Sequence, residues 1–244
     1  MSCENNSKRL NLIQINRLVQ MMKSRGYVVY TEPFKLNIVG IRNANTNPIK
    51  FDDEMCVFWK NGEGSWEGKK YKTTTDPSTK ILADLSYNSK GTAILPAGQY
   101  IDTWKIRLHA GSYEALGQQR ELCVYRDYDR DDILNFNIES KDCGLFGINI
   151  HRAKKNGADD GQGNTEVIGP YSAGCQVFQN YYCFQEFMEM CRRQRNLYGN
   201  NFTYTLIDKS LERKFRIKRT IYWTTVLISL GFIGRGLQLR LENK

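Results

Sequence analysis

The residues best suited to chemistry are a histidine and a cysteine that lie 24 positions apart. His151 ends a strand-like run, Phe146-Gly-Ile-Asn-Ile-His151, and Cys175 follows a glycine in Gly169-Pro-Tyr-Ser-Ala-Gly-Cys175. Nucleophilic catalysis by cysteine requires at least a thiol as the nucleophile and a base such as an imidazole. The pattern predicts that Cys175 is a nucleophile with His151 as its base, whereas a lone cysteine would serve only as a small apolar side chain.

The run that ends in His151 alternates between apolar and polar side chains. As a strand it would point its apolar residues into the core and project Asn149 and His151 from the other face. We therefore expect both side chains to reach into a cleft. The polar stretch 152–169, which contains several glycines, is predicted to be a lid or a substrate loop.

The other histidine, His109, ends a second predicted strand over residues 103–109. It shares the polar face of that strand with Lys105 and Arg107. Two interpretations stay open: His109 is a hydrogen-bonded structural histidine, or it belongs to the substrate site.

Two helices and many short strands are predicted around these residues. Residues 10–25 have the one-face apolar spacing of an amphipathic helix that ends at Gly26, and residues 181–197 form a second helix that ends at Gly199. A charged stretch, 126–132, is predicted to be an exposed loop. The β-like runs are 27–30, 35–39, 55–59, 103–109, 122–125, 146–151 and 202–207.

This pattern predicts a β-rich α+β fold, a sandwich or barrel with an N-terminal helix and a further helix after the cysteine turn. Three parts are expected: the amphipathic helix in 1–26, a catalytic domain over 27–208, and a basic and hydrophobic C-terminal segment, 209–244. Within that segment, the uncharged residues 220–234 follow the basic run 209–219. They suit a membrane anchor or interfacial helix, and equally a buried helix or a strand pair.

Composition favours a folded chain with a polyanionic partner. Hydrophobic residues make up 41% of the 244 residues, enough for a packed core, and the net charge is +9. Nucleic acid, an anionic lipid surface and bacterial wall polymers would all fit this charge. Much of the excess is confined to 209–219 and no nucleic-acid module accompanies it, so nucleic acid is not the expected partner.

The seven cysteines are scattered along the chain without CxxC pairs. Their number and spacing predict thiols in a reducing compartment of synthesis and not a disulfide framework. No Cys/His cluster has zinc-ligand spacing and no phosphate loop or dinucleotide fingerprint occurs, so neither a metal nor a cofactor is expected. The polar N-terminus lacks the apolar core of a secretion signal, which favours synthesis in the cytoplasm.

Two motifs resemble the catalytic domain of the L,D-transpeptidases. These are Ile150-His151 and Ser172-Ala-Gly-Cys175, and the upstream Leu95-Pro-Ala-Gly-Gln-Tyr100 is similar to a strand entry of that family. The resemblance covers residues 50–180, and the whole pattern is also similar to uncharacterised proteins encoded by tailed phages. It implies a β-rich domain that acts on peptidoglycan stem peptides through a cysteine acyl-enzyme.

The resemblance gives each residue of the motifs a role. Cys175 would be the nucleophile, with its pKa lowered by His151 and by backbone amides, and His151 would move the proton. The amides of Gly174 and Cys175 would stabilise the oxyanion, and Ser172 or Asn149 would orient the imidazole. The expected substrate contacts are Asn149, His109, Tyr171 and Gln176.

Three positions depart from the family pattern. Ala173 stands in place of a histidine, Arg152 in place of a glycine, and Val177 in place of an arginine or asparagine. Substrate contacts are therefore altered, and a hydrolase is favoured over a transpeptidase.

Together these observations predict a cysteine peptidase or transpeptidase-like enzyme of bacterial peptidoglycan, encoded by a phage as an endolysin or virion-associated murein hydrolase. It would act at the cell wall or in the virion. Its expected partners are peptidoglycan, other virion proteins and, through 209–244, a membrane. The alternative is a non-catalytic phage structural or wall-binding protein with the same fold.

Overall fold

The structure, a computed structural model, describes residues 3, 7–44, 48–84, 89–131, 133–154 and 161–209. The chain divides into two units, Met1–Ile207 and Asp208–Lys244, and nearly all of the described residues belong to the first. Apart from Lys209, the predicted C-terminal segment lies outside the described residues. In the part of the chain that is described, no helix is long and apolar enough to cross a membrane.

Strands dominate the described residues, and the predicted β-rich α+β class is confirmed. The helices are α1 (Leu12–Ser24), α2 (Thr79–Leu82) and α3 (Tyr181–Tyr198), with 3-10 turns at Ile138–Ser140 and Gly169–Tyr171. The strands are β1 (Ser7–Arg9), β2 (Asn37–Arg42), β3 (Asp53–Lys60), β4 (Trp66–Thr74), β5 (Thr92–Ile94), β6 (Gly98–His109), β7 (Tyr113–Gln118), β8 (Leu122–Asp127), β9 (Asp142–Gly144), β10 (Ile150–Arg152), β11 (Gln176–Phe178) and β12 (Phe202–Asp208).

Eight of these strands close into a barrel. Around the ring the order is β4, β11, β10, β7, β6, β12, β2 and β3, and β3 pairs again with β4. Strand β1 adds to β4, while β5, β8 and β9 form a separate three-stranded sheet. Strands β10 and β11 run parallel, and every other strand pair whose register is described is antiparallel.

The barrel interior is one apolar cluster to which all eight barrel strands contribute. Tyr71, Trp104 and Phe178 are among its largest members, and each is less than 2% exposed. Phe184 and Phe187 on the buried face of α3 pack into the same cluster. The strands that carry the candidate site are therefore anchored from within by a dense core.

Helix α1 packs on the outside of β2 and β3. Its buried residues Ile15, Leu18 and Met22 join a second apolar cluster that includes Phe58 of β3. Because α1 covers the outer face and the barrel core covers the inner one, all six residues of β2 are buried. The predicted amphipathic helix is thus observed, and it packs against the barrel.

Four of the seven cysteines form disulfides, so the prediction of a chain without disulfides is wrong. Cys3 is bonded to Cys183 on α3, and Cys123 on β8 is bonded to Cys143 on β9. The first pair is separated by 180 residues, and the second occupies facing positions of the β8–β9 ladder. Neither pair has a local sequence signature, because only the fold brings the partners together. In a chain-entropy description, loops of these lengths give cross-links worth about 3 to 5 kcal/mol.

The predicted strand at 27–30 is irregular because side-chain amides take the place of a neighbouring strand. The backbone of Val28 exchanges two hydrogen bonds with the side chain of Gln99. The backbone of Tyr30 does the same with the side chain of Asn37. Apolar alternation alone does not reveal such substitutes for a strand ladder.

The predicted strand that ends at His151 is regular only from Ile150 onwards. The backbone amides of Phe146 and Ile148 both donate to the side-chain oxygen of Gln118, at 3.1 and 3.0 Å. One glutamine at the end of β7 therefore holds this segment in place of a strand partner.

The predicted charged loop over 126–132 begins later than expected. Arg126 and Asp127 are buried at the end of β8. Two nitrogens of the Arg126 guanidinium lie 3.0 and 3.1 Å from a carboxylate oxygen of Asp142 on β9. The pairing with an acid explains why this arginine tolerates burial.

Candidate active site

Cys175 and His151 lie on the outer face of the barrel, where β10 and β11 run side by side. The two strands are parallel, with Ile150 opposite Gln176 and His151 opposite Val177. Residues opposite one another share a face of the sheet, and residues two apart on a strand do so as well. Cys175 therefore points to the same side as His151, as its diagonal neighbour.

The turn before Cys175 requires a glycine. Gly174 has a φ of 111°, a backbone conformation that other residues rarely adopt. A Cβ at this position would lie 2.3 Å from the carbonyl oxygen of Ala93 and 3.2 Å from the side chain of Ile148. The close approach of β5 thus fixes the turn, and with it the position of Cys175.

Ser172 holds the inner side of the same turn. It is fully buried, and its Oγ lies 2.7 Å from the carbonyl oxygen of Asp76 and 2.9 Å from that of Cys175. It also accepts a hydrogen bond of 3.3 Å from the amide of Gly174. These bonds commit Ser172 and the Gly174 amide to the turn, so the predicted use of that amide in an oxyanion site is not compatible with this geometry.

The imidazole of His151 is buried and is oriented by the backbone of its own strand. Nδ1 lies 2.8 Å from the carbonyl oxygen of Arg152. Because a carbonyl only accepts, Nδ1 carries the proton and Nε2 keeps its lone pair, as a general base requires. Burial, with the neighbouring His109 and Arg152, lowers the pKa of His151 to about 3. The orienting group is thus Arg152, and not Ser172 or Asn149 as predicted.

The thiol of Cys175 rests against the backbone instead of His151. Sγ accepts from the amide of Asn149 and donates to the carbonyl of Gly147, each at 3.4 Å, and no hydrogen bond to His151 occurs among the described residues. The residue packs beside an apolar cluster that contains Val177. Burial raises the pKa of Cys175 to about 11, against the opposing effect of the Asn149 amide. The expected lowering of this pKa is therefore wrong, and the site pairs a neutral thiol with a neutral imidazole.

His109 reaches the same site from β6. Its ring stacks on that of His151, with ring centres 4.3 Å apart and 19° between the planes. The side-chain oxygen of Asn149 accepts from the amide of Gln118, and its Nδ2 lies 3.3 Å from Nδ1 of His109. Since an amide nitrogen only donates, Nδ1 of His109 accepts and Nε2 carries the proton. His109 is hydrogen-bonded, stacks on His151 and lines a cleft, so both interpretations of this residue stay open.

Small residues of β7 allow the two histidines to meet, because β7 lies between β6 and β10 in the barrel. Ile150 pairs with Leu116, so the antiparallel register sets Ala115 and Gly117 beside the outward-facing residues of β10. Side chains from the two flanking strands lean together over this floor. Larger residues on β7 would keep them apart.

A cleft of about 230 Å³ opens above the same floor. Its lining consists of Arg107, Leu108, His109, Ala110, Ala115, Gly117 and Asn149. Asn149 connects the cleft to the thiol, because its side chain lines the cleft while its backbone amide bonds Sγ of Cys175. This volume equals that of about seven or eight waters, room for one residue-sized group of a ligand.

Two guanidinium groups lie near enough to His109 to affect its charge, and one of them, that of Arg107, lines the cleft. The side chain of Arg107 lies so close to Gly117 that a Cβ there would be 2.0 Å from Nε. The guanidinium of Arg152 lies 4.0 Å from the ring centre of Tyr113. Burial, followed by the charges of Arg152 and Arg107, lowers the pKa of His109. The charge of Arg152 also lowers the pKa of His151, whereas that of Arg107 acts on His109 alone.

The arginines and the small floor residues lie outside the set of site residues predicted from the sequence. The one available signal is the polar face of the 103–109 strand, which carries Arg107 beside His109. The contribution of β7 depends on the order of strands in the barrel, for which the sequence offers no local pattern.

The two remaining predicted substrate contacts, Gln176 and Tyr171, differ in where their side chains lie. Gln176 is fully buried and faces the barrel interior, where its Oε1 accepts from the hydroxyl of Tyr204 at 2.7 Å. One step along a strand reverses the face, so Gln176 cannot share the outer face with Cys175. This corrects the prediction for Gln176. Tyr171, by contrast, packs against the same apolar cluster as Cys175.

No protein-family model matches this chain, and no curated protein matches its sequence. Among the described residues, no group of three or more His, Cys, Asp or Glu side chains could hold a metal ion.

Proposed function

We propose that the protein is a cysteine peptidase or acyltransferase that acts on peptidoglycan peptides through an L,D-transpeptidase-like domain. The observation that carries this proposal is the placement of Cys175 and His151 on one face of two parallel strands. The bond from His151 to the Arg152 carbonyl supports it further, because it leaves Nε2 unprotonated and able to accept the thiol proton.

The reaction starts from the neutral pair. When a substrate enters, the thiol of Cys175 leaves the Gly147 carbonyl and donates its proton to Nε2 of His151. The thiolate attacks the peptide carbonyl, and His151 passes the same proton to the amine as the C–N bond breaks. The product is a thioester on Cys175. Attack by water then gives hydrolysis, and attack by an amine gives transpeptidation.

Backbone amides around the thiol carry the developing charge. The amide of Asn149, 3.4 Å from Sγ, stabilises the thiolate as it forms. The amide of Gly174 is bonded to Ser172, whereas the amide of Cys175 donates to no atom of the described residues. We assign the Cys175 amide to the oxyanion of the tetrahedral intermediate.

The assignment to cell-wall peptides rests on the similarity of the His151 and Cys175 motifs to those of the L,D-transpeptidases. We place the protein at the bacterial wall or in a virion, as an endolysin or a virion-associated murein hydrolase of a phage. The two disulfides support action outside the reducing cytoplasm, because such bonds persist in oxidising surroundings.

A second candidate function is non-catalytic binding to the wall or to other virion proteins through the same face. The state of the Cys175 thiol favours this binding function. The thiol bonds Gly147 and not His151, and its pKa is raised to about 11. A binding protein of this kind would hold peptidoglycan equally well after Cys175→Ala or His151→Ala.

Incubation with purified peptidoglycan tests the proposed activity. Chromatography measures released muropeptides, and intact-protein mass measures an acyl adduct. We expect both from the native chain, and a loss of at least about 10³-fold in Cys175→Ala. Cys56→Ala removes a buried thiol of β3 and should behave like the native chain. A native chain that releases no fragment and forms no adduct, or an equally active Cys175→Ala, would overturn the proposal.

A further inference from the structure

The cleft beside Cys175 offers hydrogen-bond donors and positive charge, but no acid. Its lining includes Arg107 and His109 and no carboxylate. Since Nδ1 of His109 already accepts from Asn149, the group that His109 has left for a ligand is Nε2–H, a donor. A ligand that satisfies this lining must supply acceptors, and preferably negative charge.

Two arginines elsewhere in the described residues are paired with acids. Nε of Arg42 lies 2.9 Å from a carboxylate oxygen of Asp76, and Arg192 lies 3.0 Å from Glu114. Arg107 forms no ion pair with any acid of the described residues. Its position is nevertheless defined, because its side chain lies against the backbone of Gly117. A guanidinium that is placed by its surroundings and lacks an acid is suited to a charged ligand.

We propose that this cleft is a carboxylate-binding subsite, in which Arg107 and Nε2–H of His109 hold a carboxylate of the substrate next to Cys175. The inference rests on the proposed function, because the bound group would belong to the molecule that Cys175 attacks. A planar carboxylate matches the fork of a guanidinium. The cleft volume of about 230 Å³ admits one amino-acid-sized group with that carboxylate.

The subsite would also tune the catalytic base. Positive charge from Arg152 contributes to the lowered pKa of both His109 and His151, and Arg107 contributes to that of His109. A carboxylate bound to His109 would place a negative charge next to the ring that stacks on His151. Substrates that carry it would therefore meet a more basic imidazole than substrates that lack it.

Histidine NMR on the full native chain tests binding without depending on chemistry. The protein has two histidines, so selective labelling gives two imidazole signal sets, which His109→Gln assigns. The probes are N-acetylglycine, its uncharged amide, and inorganic phosphate, each titrated at pH 7.5. We expect N-acetylglycine to shift the His109 signals in a saturable way, while the amide has no effect. Arg107→Gln should weaken this binding by about tenfold or more, and Arg17→Gln, on the exposed face of α1, should not change it.

The proposal is overturned if N-acetylglycine and its amide act alike, if Arg107→Gln binds as the native chain does, or if phosphate alone binds. The result is independent of acyl transfer. Carboxylate binding without an acyl-enzyme would remove the proposed function and keep the subsite. An acyl-enzyme without selective carboxylate binding would do the reverse.

Discussion

Two arginines, one on the inner and one on the outer face of the barrel, differ in whether an acid lies beside them. Arg42 points inward, is 1% exposed, donates hydrogen bonds to the carbonyls of Thr75 and Leu95, and forms an ion pair with the carboxylate of Asp76. Arg107 points outward beside the cleft and has no acid partner among the described residues. The charge of Arg42 is matched by groups of the protein itself, whereas the charge of Arg107 is available to a ligand.

This difference separates residues that serve the fold from residues that serve a ligand. Removal of one member of a buried, matched pair leaves a charge without a partner, which costs stability. Removal of an outer, unmatched group leaves the fold intact and removes only a contact to a ligand. Substitutions on the two faces should therefore divide cleanly between stability and function.

Arg42→Met should produce the largest effect on stability. It leaves Asp76 and Asp53 without their cation in the barrel interior, and a loss of about 3 to 5 kcal/mol in unfolding free energy is expected. Urea unfolding followed by circular dichroism measures this. Arg107→Met is the matched outer variant and should change the same free energy by less than about 0.5 kcal/mol. Equal losses in the two variants would contradict the contrast between the faces.

The next effect concerns the reactivity of Cys175. With its pKa near 11 in place of the ordinary 9.0, its thiolate fraction at pH 7.5 falls by about 100-fold. Alkylation by iodoacetamide, located by peptide mass, should be slower than that of a small reference thiol by about that factor. The rate should continue to rise with pH up to about 11. Alkylation as fast as the reference would show that the thiol is activated at rest.

The smallest expected effect is a slope in stability near neutral pH. Burial raises the pKa of Asp76 to about 7, with Arg42 opposing and Asp53 adding to the shift. A raised carboxyl pKa gives stability that is complete below the unfolded pKa and is lost as pH rises to the folded one. His151 and His109, whose pKa values burial lowers, act in the opposite direction, and because unfolded histidines titrate near pH 6.5 their contribution fades only over the following pH unit.

Between pH 6.5 and 7.5 the unfolding free energy of the native chain should therefore fall relative to that of Asp76→Asn, which cannot ionise at this position but keeps both histidines. Urea midpoints of the two proteins across this window measure the difference. Midpoints that change in parallel with pH would contradict the pKa assigned to Asp76.

Local patterns in the sequence predict the elements better than their arrangement. The apolar periodicity of α1 and α3 and the alternation of the longer strands reflect one covered face each, so their positions follow from the residues. Alternation also implies that Gln176 must face away from Cys175, a consequence that the family resemblance obscured. The irregular conformation of 27–30 could not be predicted from local patterns, because its hydrogen-bond partners are side-chain amides of residues outside the segment.

The candidate site likewise has one part that local sequence patterns predict and one part that depends on the arrangement of the strands. The pairing of Cys175 with His151 follows from motif and spacing, and the structure places both on one face. The stack of His109 on His151 depends on β7 lying between β6 and β10 and offering Ala115 at the contact. Strand order is a property of the closed barrel, so no local reading of the chain could supply it.

The disulfides set the conditions under which the thiol chemistry can be studied. Oxidised as described, the protein keeps three cysteines outside disulfides, namely Cys56, Cys175 and Cys191. A strong reductant, added to protect Cys175, would also open Cys3–Cys183, which links Cys3 to α3, and Cys123–Cys143, which links β8 to β9. The buffer that preserves the nucleophile would then alter its scaffold. Recombinant material is best made in an oxidising compartment and assayed with a reductant too mild to open either cross-link.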